Sequence, residues 1–396
     1  MKIVFLMPQS FPYGIAYSSR AQNFSRAISE LGYNVDVVCD YLSDNKYRIH
    51  DNIGKFENTK IYEIVPKKSK LDRFLTRLRL SSFLENYIQS EHPDLIISSS
   101  AYDRFPCVLH AARKYRIPII LESCEKYDST NWRFGKADYR YYQFHSCWKW
   151  YYPKVDGVIA ISRFLENYYS QQGLRTLRIP TILDVEKTES RTKCNDTEQR
   201  TFVFAGTLGG GKDKLVEFIR AMYEVRNSEN CIPILNIYGP SKEQVEEQLG
   251  EYREITDSLK DQINFFGRIP QNQVANAVRQ ADFSLVIRPN RESSNAGFPT
   301  KLAESMAVGT PVFANKTGDI GVYVEDNING LIADSDSEQD ILKTLRRALK
   351  MSTDELEMMR TSARKVAIES FDYRGYESKL NQFVMDVING GNRNGI

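Results

Sequence analysis

One repeating pattern constrains this chain more than any other feature. A short, continuously apolar run is followed by a helical stretch, then by another apolar run. KIVFLM, NVDVVCD, DLIISSS, IPIILE and DGVIAIS succeed one another in this way. Runs that are apolar at every position belong to strands buried on both faces, the condition of a parallel sheet covered by crossover helices. The first helical stretch aligns Ala21, Phe24, Ala27, Ile28 and Leu31 on one face and stops at Gly32. The pattern breaks once. LDVEKTESRTKCNDTEQR, from Leu183 to Arg200, is polar and reads as a linker or a loop beside one. It then restarts with TFVFAG, ILNIYG, INFFG, FSLVI, PVFAN and GLIA as strands. KLVEFIRAM, QVANAVRQA and TKLAESMAV are the helices between them, and QDILKTLRRAL and DELEMMRTSARKVAIESF are terminal helices. The prediction is an α/β protein of two Rossmann-like, doubly wound domains facing a central cleft, with ligand at the carboxyl ends of the strands. The expected divisions are 1–185, 186–375, and a C-terminal helix in 376–396 packing back towards the N-terminal domain.

Composition narrows the function. With 396 residues, 41% apolar and 12% aromatic, the chain can bury two cores. A formal charge of +2 gives no global reason to expect nucleic acid as a partner. The six cysteines are scattered without a CxxC pair and read as reduced thiols of a cytoplasmic protein. The four histidines have no metal-ligand spacing, so neither a metal nor a cofactor is expected. No segment reaches the ~18 apolar residues of a membrane span.

The second half places lysines where the helix dipole disfavours them. In FAGTLGGGKDKLVEFIRAM a glycine loop runs into a predicted helix whose first turn carries Lys212 and Lys214. In SSNAGFPTKLAESMAVGTPV another helix start carries Lys301, with Glu304 one turn later. Cations at a helix N-terminus cost roughly 0.3–1 kcal/mol each unless an anion is bound there. For Lys212 and Lys301 one diphosphate at the sheet's edge accounts for the anomaly; Lys214 is read as facing solvent. Glu304 stands where a carboxylate accepts the hydroxyls of a ribose. The glycine loop has neither the GxGxxG spacing of a dinucleotide fold nor the GK[ST] ending of a P-loop.

At these residues the chain resembles a retaining glycosyltransferase of the GT-B fold, close to family 4. GFPTKLAESMAVGTPV resembles the family's donor-binding motif, in which one glutamate precedes Gly-Phe and a second follows. GTLGGGK, with Gly206 and Thr207, takes the place of the phosphate loop. INFFGRIPQNQVANAVRQADFSLVI resembles the segment around the nucleobase, and PYGIAYSSRAQNFSRAI the glycine-containing loop after the first strand. The resemblance implies that Glu304 holds the ribose hydroxyls and that Lys212 neutralises the leaving diphosphate. It implies that the backbone at Gly267 and Arg268 meets the base, and that the N–H groups of Gly297 and Phe298 face phosphate or sugar. Gly14 would close the site from the first domain. Lys301 rests on the dipole argument alone. Two positions depart from the family. Ala296 stands where the first glutamate belongs, with Glu292 or Asn295 as substitutes. Thr207 stands where an arginine belongs, with Lys301, Arg288 or Arg291 as replacements.

The implied reaction moves a sugar from a nucleotide diphosphate sugar (UDP- or GDP-sugar) to a saccharide or lipid-linked acceptor, retaining the anomeric configuration without a metal. Glu122, Glu125 and Asp128 cluster near a first-domain strand end, where they either touch the acceptor or cap a loop; Glu125 is the preferred acceptor contact. His110 reads as a core or surface histidine. In PKKSKLDRFLTRLRLSSFLENY, Leu71, Phe74, Leu75 and Leu78 form a helical stripe among Lys67, Lys68, Lys70, Arg73, Arg77 and Arg79. That is the pattern of a helix lying on an anionic membrane surface, and equally of a docked helix with a basic outer face. YRYYQFHSCWKWYYPK reads as an extension of the same surface. The expected place is the cytoplasm, or the inner face of a membrane. Two rivals are a non-catalytic GT-B partner subunit, which Ala296 and Thr207 keep open, and a nucleotide-sugar epimerase. A nicotinamide oxidoreductase is more distant.

Overall fold

The computed structural model of the chain describes residues 1–391 apart from 15, 51, 65–69, 192, 194–198, 210 and 229–232. For residues 70–78, 227 and 391 it describes the backbone alone. The chain forms two compact units, Met1–Leu183 with Tyr373–Ile396, and Asp184–Asp372.

In the first unit the strands are β1 (Lys2–Leu6), β2 (Ser10–Phe11), β3 (Asn34–Cys39), β4 (Tyr41–Leu42), β5 (Arg48–His50), β6 (Ile53–Phe56), β7 (Thr59–Glu63), β8 (Leu95–Ser99), β9 (Ile119–Ser123), β10 (Gly157–Ala160) and β11 (Thr176–Arg178). Nine of them make one sheet in the order β11-β10-β9-β8-β1-β3-β7-β6-β5, while β2 and β4 pair separately. From β11 to β7 every pairing is parallel. The central strands are buried along almost their whole length, as their apolar runs require. The edge β7-β6-β5 is antiparallel, an addition to the all-parallel sheet expected. Its strands are short and partly polar, and carry no continuous apolar run.

The helix Ala16–Glu30 buries Ala21, Phe24, Ala27 and Ile28, and Gly32, at φ +86°, turns the chain out of it. The last helix, Glu377–Gly391, buries Leu380, Phe383, Val384 and Val387 in the same core as β1 and β10. It lies so close to β10 that a Cβ on Gly157 would stand 2.7 Å from Val387 Cγ2. Tyr373, wholly buried, donates its hydroxyl to Glu30 Oε1 at 2.7 Å, and its N–H donates to Leu183 O at 3.1 Å.

The second unit carries β12 (Thr201–Ala205), β13 (Ile234–Tyr238), β14 (Ile263–Gly267), β15 (Phe283–Val286), β16 (Val312–Asn315) and β17 (Gly330–Ala333). They form a wholly parallel sheet in the order β14-β13-β12-β15-β16-β17. The chain therefore leaves β12 in one direction and returns to its other side at β15, which makes the β12/β15 junction the topological switch point. Phe202, Phe218, Phe283 and Phe313 pack ring to ring beneath it. Ser337 and Ser352 cap the helices Glu338–Lys350 and Thr353–Phe371, the second through a capping box with Glu355.

Among the described residues no helix is long and apolar enough to cross a membrane. The basic stripe at 67–79 coincides with the helix Lys70–Glu91, but residues 65–69 and the side chains of 70–78 lie outside the described residues.

Candidate functional site

Three glycines end neighbouring strands at the carboxyl edge of the second sheet. Gly206 follows β12, Gly239 follows β13, and Gly267 ends β14. Gly206 N donates to Tyr238 O at 3.0 Å and Gly239 N to Gly267 O at 2.7 Å. The backbones lie so near each other that a Cβ on Gly239 would stand 1.8 Å from Gly206 O. Only a chain without side chains fits here, which leaves main-chain groups at the rim.

The loop after β12 and the segment after β15 meet at the switch point. Lys214 N donates to Ile287 O at 3.0 Å. The helix after the glycine loop begins only at Leu215, so Lys212 and Lys214 precede it and are not in its first turn as the sequence led us to expect. Lys214 does not face solvent: it pairs with Glu217 at 2.6 Å and Asp336 at 3.7 Å. Lys212 and Thr207 are exposed. Arg291 ends beside the loop, with Nη1 3.7 Å from where a Cβ on Gly211 would stand.

Lys301 lies in the first turn of the helix Thr300–Ala307, which has no side-chain cap. Its ammonium is not uncompensated. It donates to Asp213 Oδ1 at 2.9 Å and lies 4.0 Å above the Phe204 ring. The glycine at 206 leaves it room, since a Cβ there would stand 2.8 Å from Lys301 Cε. Lysine, aspartate and ring thus tie the two loops of the switch point together. The partner, Asp213, lies 88 residues away in sequence, where no local pattern links it to the lysine.

Glu304 follows one turn after Lys301 and is half-buried. Burial pushes its carboxyl above the usual carboxylate range, and the Lys301 charge opposes that shift. No side chain or backbone group among the described residues hydrogen-bonds to this carboxylate.

The segment between β15 and this helix is held from below. Arg288, buried, donates Nη1 to Ser294 O at 3.0 Å. Asn315 Nδ2 donates to Arg288 O at 2.8 Å, and Asn315 Oδ1 accepts from Arg288 N at 2.8 Å. Asn295 Oδ1 accepts from Gly318 N at 2.9 Å. Phe298 packs edge-on against Tyr323 and Phe371. Ala296 and Gly297 are buried, and the Gly297 N–H, expected to face phosphate or sugar, instead closes the short helix Glu292–Ala296 by donating to Ser293 O at 3.3 Å. Arg288 and Asn295, offered by the sequence as replacements in ligand binding, hold the loop's own backbone here. Arg268 is exposed after Gly267, beside a stacked Tyr238–Phe266 pair with centroids 4.5 Å apart.

Gly14 and Glu125 belong to the first unit. A Cβ on Gly14 would stand 2.4 Å from Ser10 Oγ and 2.5 Å from Ser18 Oγ, so the loop after β1 is tightly folded. Of the three acids near β9, Glu122 is buried and accepts from Arg20 Nε at 2.5 Å; Arg20 Nη2 also donates to Ile179 O at 2.9 Å. Asp128 caps a short helical turn by accepting from Thr130 N at 2.8 Å. Those two act in the fold, and Glu125 is half-buried in the loop between them. His110 is exposed on the helix Phe105–Lys114.

Residues 186–366 match the family Glycosyl transferases group 1, and residues 18–187 match Glycosyltransferase Family 4. An uncharacterized glycosyltransferase of Methanocaldococcus jannaschii is 24% identical over 339 residues, 85% of each chain. Two solved structures share the fold. Sucrose-phosphate synthase from Thermosynechococcus elongatus superposes with a TM-score of 0.73 at 14% identity, over 98% of this chain and 99% of that one. Anabaena HepE, in complex with UDP and glucose, gives 0.66 at 16% identity, over 98% of this chain and 100% of that one. Two parallel-sheet units and these matches define a glycosyltransferase of the GT-B fold. Within that class the chain resembles family 4.

Proposed function

We propose that the protein transfers a sugar from a nucleoside diphosphate sugar, UDP- or GDP-linked, to a saccharide or lipid-linked acceptor, with retention of configuration. The reading rests on Glu304. A half-buried carboxylate raised in pKa and given no hydrogen bond by any described residue is poised for a ligand that supplies donors. Ribose hydroxyls are such donors. HepE, which shares the fold, binds UDP, and this supports a nucleotide-sugar donor here. In the proposed reaction the bond from the anomeric carbon to the diphosphate breaks and its electron pair leaves with the diphosphate. The acceptor oxygen then bonds that carbon on the same face and passes its proton to the departing diphosphate. Lys212, the main-chain N–H of Thr207 and the N–H of Phe298 stabilise the growing negative charge, with no metal required. Lys301 contributes through its hold on the phosphate loop as well as through its charge. The main chain at Gly267 and Arg268 meets the base. Asn295 and Ala296 shape the sugar end through the backbone they fix, Gly14 counts among the donor contacts, Glu125 serves the acceptor, and the biological setting is surface polysaccharide or glycolipid synthesis at the inner face of a membrane.

Thermal unfolding with UDP, GDP, ADP, CMP and NAD tests this on wild type and Lys212→Ala. Saturation at 100 times the dissociation constant adds about 2.7 kcal/mol to the unit that binds. One nucleoside diphosphate should raise a transition by several degrees, and less in the variant. No response to any of them would favour the non-catalytic reading that Ala296 and Thr207 support.

A further inference from the structure

The loop after β9 is followed at once by two residues that rings enclose. Lys126, next to Glu125, lies among three ring faces. Its Nζ is 5.2 Å from the centroid of Trp148, 5.3 Å from Phe164 and 5.6 Å from Tyr168. Phe164 and Tyr168 are one turn apart on the helix Arg163–Ser170, and Trp148, in the π turn Cys147–Tyr151, packs on Tyr168 at 4.5 Å. An ammonium is attracted by each ring face, and more strongly where water is kept out. Tyr127 packs edge-on against Trp132 at 5.4 Å and Phe144 at 5.1 Å. Burial, and after it the Glu125 carboxylate that its hydroxyl meets, pushes the Tyr127 phenol above its usual range.

The rest of the loop is held as well. Cys124 donates its thiol to Glu122 Oε1 at 2.8 Å, and Arg20 fixes Glu122. Asp128 N donates to Asn131 Oδ1 at 2.7 Å. The residues on both sides of Glu125 are therefore anchored, although β9 ends at Ser123 and the sheet imposes nothing on the chain beyond it. Such anchoring costs side-chain entropy, and what it fixes is the place of the half-buried Glu125 carboxylate.

A carboxylate accepts from hydroxyls and repels phosphate. The rings around the Tyr127 box, Tyr102 and Trp132, are half-buried and meet edge to face. Trp132 Nε1 has no hydrogen-bond partner among the described residues. Apolar ring surface with a few polar groups beside it suits a pyranose, which is apolar on its C–H faces and polar around its rim.

We propose that Lys126 and Tyr127 are positioning residues, which hold the Glu125 carboxylate to receive a hydroxyl of a saccharide acceptor. The proposal rests on the glycosyl-transfer reading above. It narrows the reacting group of the acceptor to a saccharide hydroxyl, free or carried on a lipid, as against a lipid phosphate.

Saturation-transfer NMR of the full chain with p-nitrophenyl hexopyranosides, hexyl hexopyranosides and farnesyl phosphate tests this. The melting response to nucleoside diphosphates is followed on the same samples. Wild type should bind glycosides: equal binding of both kinds marks a free saccharide, and preference for the hexyl compounds a lipid-carried one. Glu125→Gln and Tyr127→Phe should each weaken glycoside binding about tenfold, the loss of a hydrogen bond to a charged group. Lys126→Ala should weaken it as well, and Lys126→Arg, which keeps a cation among the rings, should restore it. Tyr127→Phe removes an oxygen and no packing, so it decides the matter if Lys126→Ala does not fold. The response to nucleoside diphosphates should be the same in every variant. Glycoside binding undiminished in Tyr127→Phe, or farnesyl phosphate bound more tightly than any glycoside, would overturn the inference. So would absent glycoside binding beside an intact nucleoside diphosphate response, which leaves the donor reading standing. Loss of both responses in wild type would overturn the glycosyl-transfer reading together with the inference.

Discussion

Gly206→Ala isolates the role of Lys301. The new methyl would stand 2.8 Å from Lys301 Cε and 2.9 Å from Nζ, whereas its next neighbour, Phe204 Cζ, is at an ordinary 3.6 Å. Gly206 is not among the residues with positive φ, so alanine is not strained by its own backbone, and only the lysine must yield. Yielding costs the ion pair to Asp213, worth about 0.5–1 kcal/mol for partly exposed partners, if it is lost entirely. It also costs the seat on Phe204, about 0.5–1 kcal/mol. Against these stands a gain of about 0.4–1 kcal/mol from the stiffer unfolded chain. In a Lys301→Ala background the methyl has room, and Gly206→Ala should be neutral or stabilising by that last amount alone. The two changes should therefore couple by about 1–2 kcal/mol, well above the ~0.3–0.5 kcal/mol scatter of independent sites. Urea unfolding of wild type, both single variants and the double variant measures it. A coupling energy inside that scatter would refute the view that Lys301 binds the two loops together.

Other outcomes follow from single groups. Because burial raises the Glu304 pKa, its contribution to stability is complete below the unfolded carboxyl pKa and lost as pH rises through the folded value. Glu304→Gln should therefore raise the melting temperature at pH 7 and flatten its fall from acid to neutral pH, while reducing the shift produced by the nucleoside diphosphate. A variant less stable than wild type at pH 7 would contradict this. Gly239→Ala, with its methyl 1.8 Å from Gly206 O and φ at +113°, should cost more than about 3 kcal/mol and yield little soluble protein; expression with an unchanged melting curve would count against the described rim. Removing one partner of the buried Arg20–Glu122 pair should cost about 3–5 kcal/mol, and Arg20→Met with Glu122→Leu less than either single change. Denaturant midpoints that fall additively would argue that the pair does not act as one.

The central strands were legible because each is apolar along its length, and a sheet buried on both faces leaves no other place for such runs. The edge β7-β6-β5 was not, because RIH, IGKF and TKIYE mix polar and apolar residues too briefly to set a period. The start of the phosphate-loop helix was placed too early, since nothing local distinguishes Lys212 from Leu215 as the first helical residue. At the site, Glu304 and Lys301 could be picked out by charge and helical phase. Asp213, Phe204 and the Gly206–Gly239 contact could not, because they are brought together by strand order and not by spacing. Glu122 looked available because sequence shows a carboxylate but not the arginine that covers it.

The return of the chain to its starting unit has a consequence for synthesis. Domains generally complete in the order in which they emerge. Here the second unit is one uninterrupted stretch, Asp184–Asp372, while the first lacks Tyr373 and the helix Glu377–Gly391 until the whole of the second has been made. The sheet that begins at Lys2 must wait, with the faces of β10 that Phe383 and Val387 will cover still wet, until its final helix leaves the ribosome. The unit made second can finish first. A message broken off between the codons for Asp372 and Glu377 yields a second unit with nothing missing, joined to a first one that has no lid on its core, and so marks itself for removal before it can occupy a substrate.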